Sequence, residues 1–267
     1  MRFPALLAAA AMILPAGGAI AQHADHQKAA EKPIAAAIAA PSRTPKNVAR
    51  DTYRHPAETL AFFGVTPAQT VVEYAPSGGW YTEILAPLLR AKGTFYALQP
   101  TGRYLDGYKT FLAANPAVYD KVKVVAFPED SATIPAGSVD TVLTFRNVHN
   151  MVMAGNEAAT FKAFFDVLKP GGTLGVVDHR LPEDRDTALE KSSGYLKVST
   201  IRRIAQAAGF EYVGASEVNA NSKDTADWAK GVWTLPPTLN QKDVDKDKYL
   251  AIGESDRMTL KFRKPTK

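Results

Sequence analysis

The sequence predicts an α/β protein built on a seven-stranded, mostly parallel sheet with helices on both faces and an antiparallel edge strand. Three observations predict it. Short apolar runs alternate with amphipathic helical stretches from residue 56 to residue 208, a rhythm that implies right-handed crossovers and one parallel sheet. The first, third and fifth runs are almost continuously apolar or β-branched, as strands covered on both faces are. After Gly209 two further runs follow without a helix directly between them, as expected of an antiparallel pair at one sheet edge.

Taken in order, residues 56–63 form a helix with Pro56 in its first turn and Gly64 at its end. Strands are predicted at 70–74, 94–98, 121–126, 139–145 and 173–177, and the closing pair at 211–218 and 258–264. Helices fall between them: Ile84, Leu85, Leu88 and Leu89 share one face of 81–90, Phe161, Phe164, Phe165 and Leu168 one face of 157–168, and Ile201, Ile204, Ala205 and Ala208 one face of 199–208.

The N-terminal region reads differently. Residues 1–21 have the pattern of a secretory signal peptide: Arg2, an apolar stretch and the small-residue cleavage site Ala19-Ile20-Ala21. Pro15, Gly17 and Gly18 interrupt that stretch too early for a membrane span. An exported, periplasmic protein is therefore expected, with no integral membrane association. Residues 22–45 carry few large apolar side chains and are expected to form a flexible leader; His23 and His26 within it belong to a solvated tail. A single domain then spans 46–267.

The chain of 267 residues has a net charge of +5 without any run of five basic residues, so no nucleic-acid partner is expected. It contains no cysteine, which excludes disulfides, thiolate catalysis and Cys-ligated metal.

The segments ETLAFFGV (58–65), PSGGWYTEILAPLL (76–89), TFRNVHNM (144–151), LKPGGTLGVVDHR (168–180), GVWTLPPTL (231–239) and GESDRMTLKFRKP (253–265) together resemble class I S-adenosylmethionine-dependent methyltransferases. More narrowly, they resemble an exported bacterial group of predicted methyltransferases of unassigned substrate. The resemblance spans about residues 50–265 and implies a Rossmann-like sheet and S-adenosylmethionine as cofactor. It also implies that Glu73 and the loop Ala75, Ser77, Gly78 and Gly79 hold the cofactor's amino-acid portion, that Gln99 faces its ribose, and that Glu129 or Asp130 lies on its adenine side. The family's loop carries glycine where Ala75 and Ser77 stand, and an acid where Gln99 stands.

The candidate chemistry lies where the fourth and fifth strands end, in the crevice where open α/β sheets place their ligands. His149 is the candidate general base or acceptor-orienting group, since imidazole titrates near neutrality, with a core-edge role as its alternative. Asn150 stands beside it, Asn147 is read as a cofactor contact, and His179 of Asp178-His179-Arg180 is a second catalytic candidate or part of a charge network. No metal site is expected. Tyr195, Lys197 and Trp233 line an acceptor pocket or cover the sheet edge. Two functions follow: methyl transfer to a small-molecule acceptor, or non-catalytic capture of a small ligand in the periplasm on the same scaffold. The loop lacks the G-x-G-x-x-G spacing of a dinucleotide dehydrogenase.

Overall fold

Residues 31–38 are helical (α1), and two short helices follow, α2 (Pro45–Val48) and α3 (Asp51–Arg54). The computed structural model describes residues 31–267; the signal peptide read at 1–21, the leader up to residue 30, and His23 and His26 lie outside the described residues. The remainder of the expected flexible leader, residues 31–45, is ordered, and the expectation is corrected there. Composition measures what a segment carries, not the surface it lands on. Ile34 and Ala37 are buried in one cluster with Leu60, Phe63, Ile84 and Leu85. Arg43 grips Asp51 with two hydrogen bonds of 2.6 and 2.8 Å, and Thr44 donates to Glu83 through both its backbone N–H and its hydroxyl.

The alternating region begins with α4 (Pro56–Phe63), which ends where Gly64 turns left-handed at φ 76°. It continues through β1 (Thr70–Tyr74), α5 (Thr82–Leu89), β2 (Thr94–Pro100), α6 (Arg103–Ala113), α7 (Pro116–Tyr119) and β3 (Lys123–Phe127). The second half comprises β4 (Val139–Phe145), α8 (Val148–Ala154), α9 (Glu157–Val167), β5 (Leu168–His179), α10 (Val198–Ala207), β6 (Glu211–Ser216), α11 (Lys246–Ile252) and β7 (Arg257–Arg263). All seven expected strands form. β5 is longer than expected because 168–172 joins the strand through an irregularity between Val139 and Thr141 of β4. The glycines of that segment bend the strand without ending it.

The strand order is β3-β2-β1-β4-β5-β7-β6. The first five strands pair in parallel, and β7 runs antiparallel to both β5 and β6. Alternate residues face opposite layers: Val72, Tyr74 and Val176 pack with Phe161 and Phe164, whereas Val71, Leu143 and Val177 pack with Phe63, Ile84 and Leu85. Both faces are therefore dry. β1 leads to β2 in one direction and β4 to β5 in the other, so the chain reverses direction between β1 and β4. Their register, Tyr74 opposite Thr144, brings the loops after both strands to one crevice.

Candidate active site at the carboxyl end of the sheet

The loop after β1 keeps the backbone of a glycine loop with Ala75 and Ser77 in place of two of its glycines. Ala75, Ser77 and Gly79 all adopt left-handed conformations, with φ of 51°, 50° and 75°. Only Gly79 takes it freely, and there a Cβ would stand 2.4 Å from the Phe111 ring. The two non-glycine positions each cost on the order of 1–2 kcal/mol. The loop is pinned by Ala75 N–H donating to Leu98 O at 2.8 Å, by Ser77 N–H donating to Gln99 Oε1 at 3.1 Å, and by Asn147 Nδ2 donating to Ala75 O at 3.2 Å.

This loop opens a cavity of about 730 Å³. Glu73, Ala75, Pro76, Ser77 and Gly78 form one side, Phe145, Arg146, Asn147, His149, Asn150 and His179 another, and Lys46, Asn47, Arg50 and Arg54 a third. Trp80, Tyr81, Tyr104 and Trp233 add aromatic walls. A Cβ on Gly78 would meet nothing within 4 Å, so the loop's middle borders open space. Burial pushes the Glu73 carboxyl up to about 8, against a smaller opposing effect from the Thr82 hydroxyl that it accepts at 3.2 Å. Glu73 therefore keeps its proton to a higher pH than an ordinary carboxyl.

On the opposite wall His149 Nδ1 lies 2.8 Å from Asp178 Oδ1. Asp178, fully buried, also accepts the backbone N–H of His149 at 3.1 Å and of His179 at 2.8 Å. The carboxylate therefore fixes Nδ1 as the protonated ring nitrogen and leaves Nε2 of His149 with its lone pair. His179, its ring centroid 5.0 Å from that of His149, is placed differently. Its Nδ1 meets Ser255 Oγ at 2.5 Å and its Nε2 accepts from Arg146 Nε at 3.4 Å. Burial, and then the charge of Arg146, hold its basicity well below the ordinary histidine range. It is a neutral ring that positions Arg146.

His149, Asp178 and His179 offer ligand atoms within 4.8 Å of one another, spacing that a metal ion could use. The chemistry opposes it. Asp178 is committed to three donors, and the surrounding arginines raise the cost of another positive charge.

Of the residues expected to hold a cofactor, Glu73, Ala75, Ser77, Gly78 and Asn147 line the cavity, as do the catalytic candidates His149, Asn150 and His179. Gly79 sits behind the loop against Phe111. Gln99, Glu129 and Asp130 do not line the cavity. Gln99 is buried with its carbonyl on Ser77, and Glu129 is exposed, accepting from the Thr101 hydroxyl at 3.3 Å. Tyr195 is fully buried, donates to Asp224 and packs with Leu181, Ala226 and Val232, so it does not line the cavity. Trp80 carries the guanidinium of Arg54 at 4.7 Å and donates Nε1 to Asn47 O.

Sequence reasoning missed the arginines. Arg50 and Arg54 sit four apart in a segment without apolar periodicity, and Glu254 and Arg257, 200 residues later, join them. Glu254 accepts from Arg50, Arg54 and Arg257 at 2.7, 3.1 and 3.1 Å. The i, i+4 spacing of Arg50 and Arg54 was the one available signal.

No protein-family model and no curated protein matches the chain. Solved structures do. A SAM-dependent methyltransferase from Aquifex aeolicus matches with a TM-score of 0.57 at 17% identity, over 80% of this chain and 92% of that one. An S-adenosylmethionine-dependent methyltransferase from Mesorhizobium loti matches with a TM-score of 0.50 at 14% identity, over 80% and 99%. The [4+2]-cyclase SpnF matches with 0.56 at 13% identity, over 93% and 96%. One fold thus carries proteins named for different reactions, and the site must decide between them. What these likenesses establish is the scaffold: the chain has the Rossmann-like fold of class I S-adenosylmethionine-dependent methyltransferases.

Proposed function

We propose that this protein transfers a methyl group from S-adenosylmethionine to a small-molecule acceptor. The observation that carries the reading is the pairing of an open left-handed loop on one wall of the cavity with a carboxylate-oriented imidazole, His149–Asp178, on the other. The cavity exceeds what a nucleoside alone requires and leaves room for a second small molecule. Glu73 and the loop 75–78 would hold the cofactor's amino-acid end, and Asn147 fixes the loop's carbonyl at Ala75. When bound, S-adenosylmethionine supplies an electrophilic methyl group on a sulfonium.

The chain's own contribution is alignment, exclusion of water and one proton. His149 Nε2 accepts a proton from the acceptor's nucleophilic atom, and the resulting imidazolium is stabilised by Asp178 at Nδ1. Trp80, Tyr81 and Phe145 give an otherwise polar cavity its ring surface, with Tyr81 stacked on Phe145 at 3.6 Å between centroids.

A second reading has its own observation. Gln99 is tied to Ser77 and Glu129 lies outside the cavity, so the usual ribose and adenine contacts are missing. A non-catalytic ligand-binding protein, exported to the periplasm by its N-terminal signal, accommodates both facts. Calorimetric titration with S-adenosylmethionine, S-adenosylhomocysteine and NAD decides the first point. Binding of either sulfur nucleoside supports the methyltransferase reading, and binding of neither overturns it. Binding without methyl transfer to any member of a panel of phenols, carboxylates and amines favours the second reading.

A further inference from the structure

The cavity is electrostatically lopsided. Lys46, Arg50, Arg54 and Arg146 line it, and the only carboxyl among its lining residues is Glu73, whose charged form burial disfavours. Behind the wall, Glu254 is the single carboxylate shared by Arg50, Arg54 and Arg257. Arg146 has no carboxylate within salt-bridge distance among the described residues; its Nε donates to the neutral ring of His179. The terminal guanidinium nitrogens of Arg54 and Arg146 have no hydrogen-bond partner among the described residues, and neither appears among the sealed, partnerless atoms.

The backbone is shaped to put Arg146 there. Its φ is 62°, a left-handed conformation that a long side chain adopts only under constraint, and its N–H donates to Val177 O at 2.7 Å. Burial lowers the proton affinity of both Arg54 and Arg146, and so do the neighbouring arginines, against the opposing attraction of Glu254. A guanidinium stays protonated in a protein. The repulsion therefore persists as an unfavourable energy, which a bound anion relieves.

We propose that Arg146, seconded by Arg54, is the recognition site for an oxyanion, a carboxylate or a phosphate, carried by a ring-sized acceptor. The planar fork of an arginine matches either group with two parallel hydrogen bonds. The same wall holds His149, whose Nδ1 is held by Asp178, so an anion on Arg146 brings the rest of the acceptor toward Nε2. Phe145, Tyr81 and Trp233 supply ring-sized apolar surface beside it. Lys46 stands exposed at the rim, where it draws anions in. The assignment rests on the methyl-transfer reading for the word acceptor; the anion site itself does not.

The test uses the whole protein saturated with S-adenosylhomocysteine, with benzoate, phenyl phosphate and neutral benzamide as probes in thermal unfolding and calorimetry. Benzoate or phenyl phosphate should stabilise the protein, benzamide should not, and the anion affinity should fall as salt rises. Arg146→Gln should weaken the anion at least about tenfold, with Arg146→Lys between it and the parent, because a lysine keeps the charge and loses the fork. Retained S-adenosylhomocysteine binding by both variants shows that they are folded. The proposal is overturned if neither anion binds, if benzamide binds as well as benzoate, or if Arg146→Gln lowers affinity for S-adenosylhomocysteine and leaves the anions unaffected. That last result assigns the arginine to the cofactor's own carboxylate. Absence of any S-adenosylhomocysteine binding by the parent defeats the methyl-transfer reading alone, and the anion arms are then read without it.

Discussion

Asp178 and His149 are joined twice: the carboxylate takes the ring Nδ1–H of His149 at 2.8 Å and the backbone N–H of the same residue at 3.1 Å. The ring is therefore fixed in tautomer, and its carrier helix α8 is fixed to the end of β5. Asp178→Asn should lower the turnover number by about 10²–10⁴ while leaving affinity for S-adenosylhomocysteine unchanged. Steady-state kinetics beside calorimetric titration checks the split, and equal losses in both would place Asp178 in folding instead.

The loop strain gives a second expectation. Ala75 holds φ 51° without being glycine. Ala75→Gly should raise stability by about 0.5–1 kcal/mol, the left-handed penalty removed less the entropy glycine adds to the unfolded chain. Urea unfolding midpoints at constant slope measure it.

Gln99 offers the opposite case. Its carbonyl accepts the Ser77 N–H, with Gln99 buried and Ser77 exposed at the cavity. Gln99→Ala should destabilise by about 0.5–1.5 kcal/mol through loss of that hydrogen bond, and the cost should appear in unfolding with no ligand present. A loss of cofactor affinity without a loss of stability would mean that Gln99 faces the ligand after all.

Glu73 sets a pH dependence. Its folded value of about 8 lies above the ordinary 4.5, so the folded state holds a proton that the unfolded state releases. The stability it contributes is complete below pH 4.5 and declines by about 1.4 kcal/mol for each pH unit until the pH passes 8. Glu73→Gln should flatten that decline; denaturant unfolding of both proteins at pH 6 and pH 9 tests it.

Glu254 has the reverse sign. Burial opposes its charge, but Arg54, Arg257, Arg146 and Arg50 outweigh burial and hold it down at about 2. Its contribution is present above pH 4.5 and is lost as the pH falls toward 2. Glu254→Gln should cost about 3–5 kcal/mol at pH 7, since three arginines lose their shared partner, and the deficit should narrow in acid unfolding below pH 4.

The strands were legible because their signal is local. Runs such as Val71-Val72 and Val142-Leu143 are apolar wherever they fold, and the parallel order follows from their alternation with helices. His149 and Asn147 were legible by position at a strand end. The arginine wall was not, because its members come from α3, the end of β4 and the start of β7, and only the topology joins them. Gln99 illustrates a different limit. The sequence places it correctly at the end of β2, but one rotamer choice sends its carbonyl to the loop instead of the crevice. The ordering of 31–45 escaped because its anchors, Glu83 and the Ile84–Leu85 face, belong to another helix.

That anchored strap bears on where the protein can be cut. A fragment starting at Pro56 would keep every strand but lose Ile34 and Ala37 from one layer, it would be missing the side of the crevice supplied by Asn47, Arg50 and Arg54, and Trp80 would face water. Such a fragment should be soluble enough to look intact by circular dichroism and still be blind to whatever the crevice recognises. For this fold residues 31–54 are part of the instrument, not packaging around it.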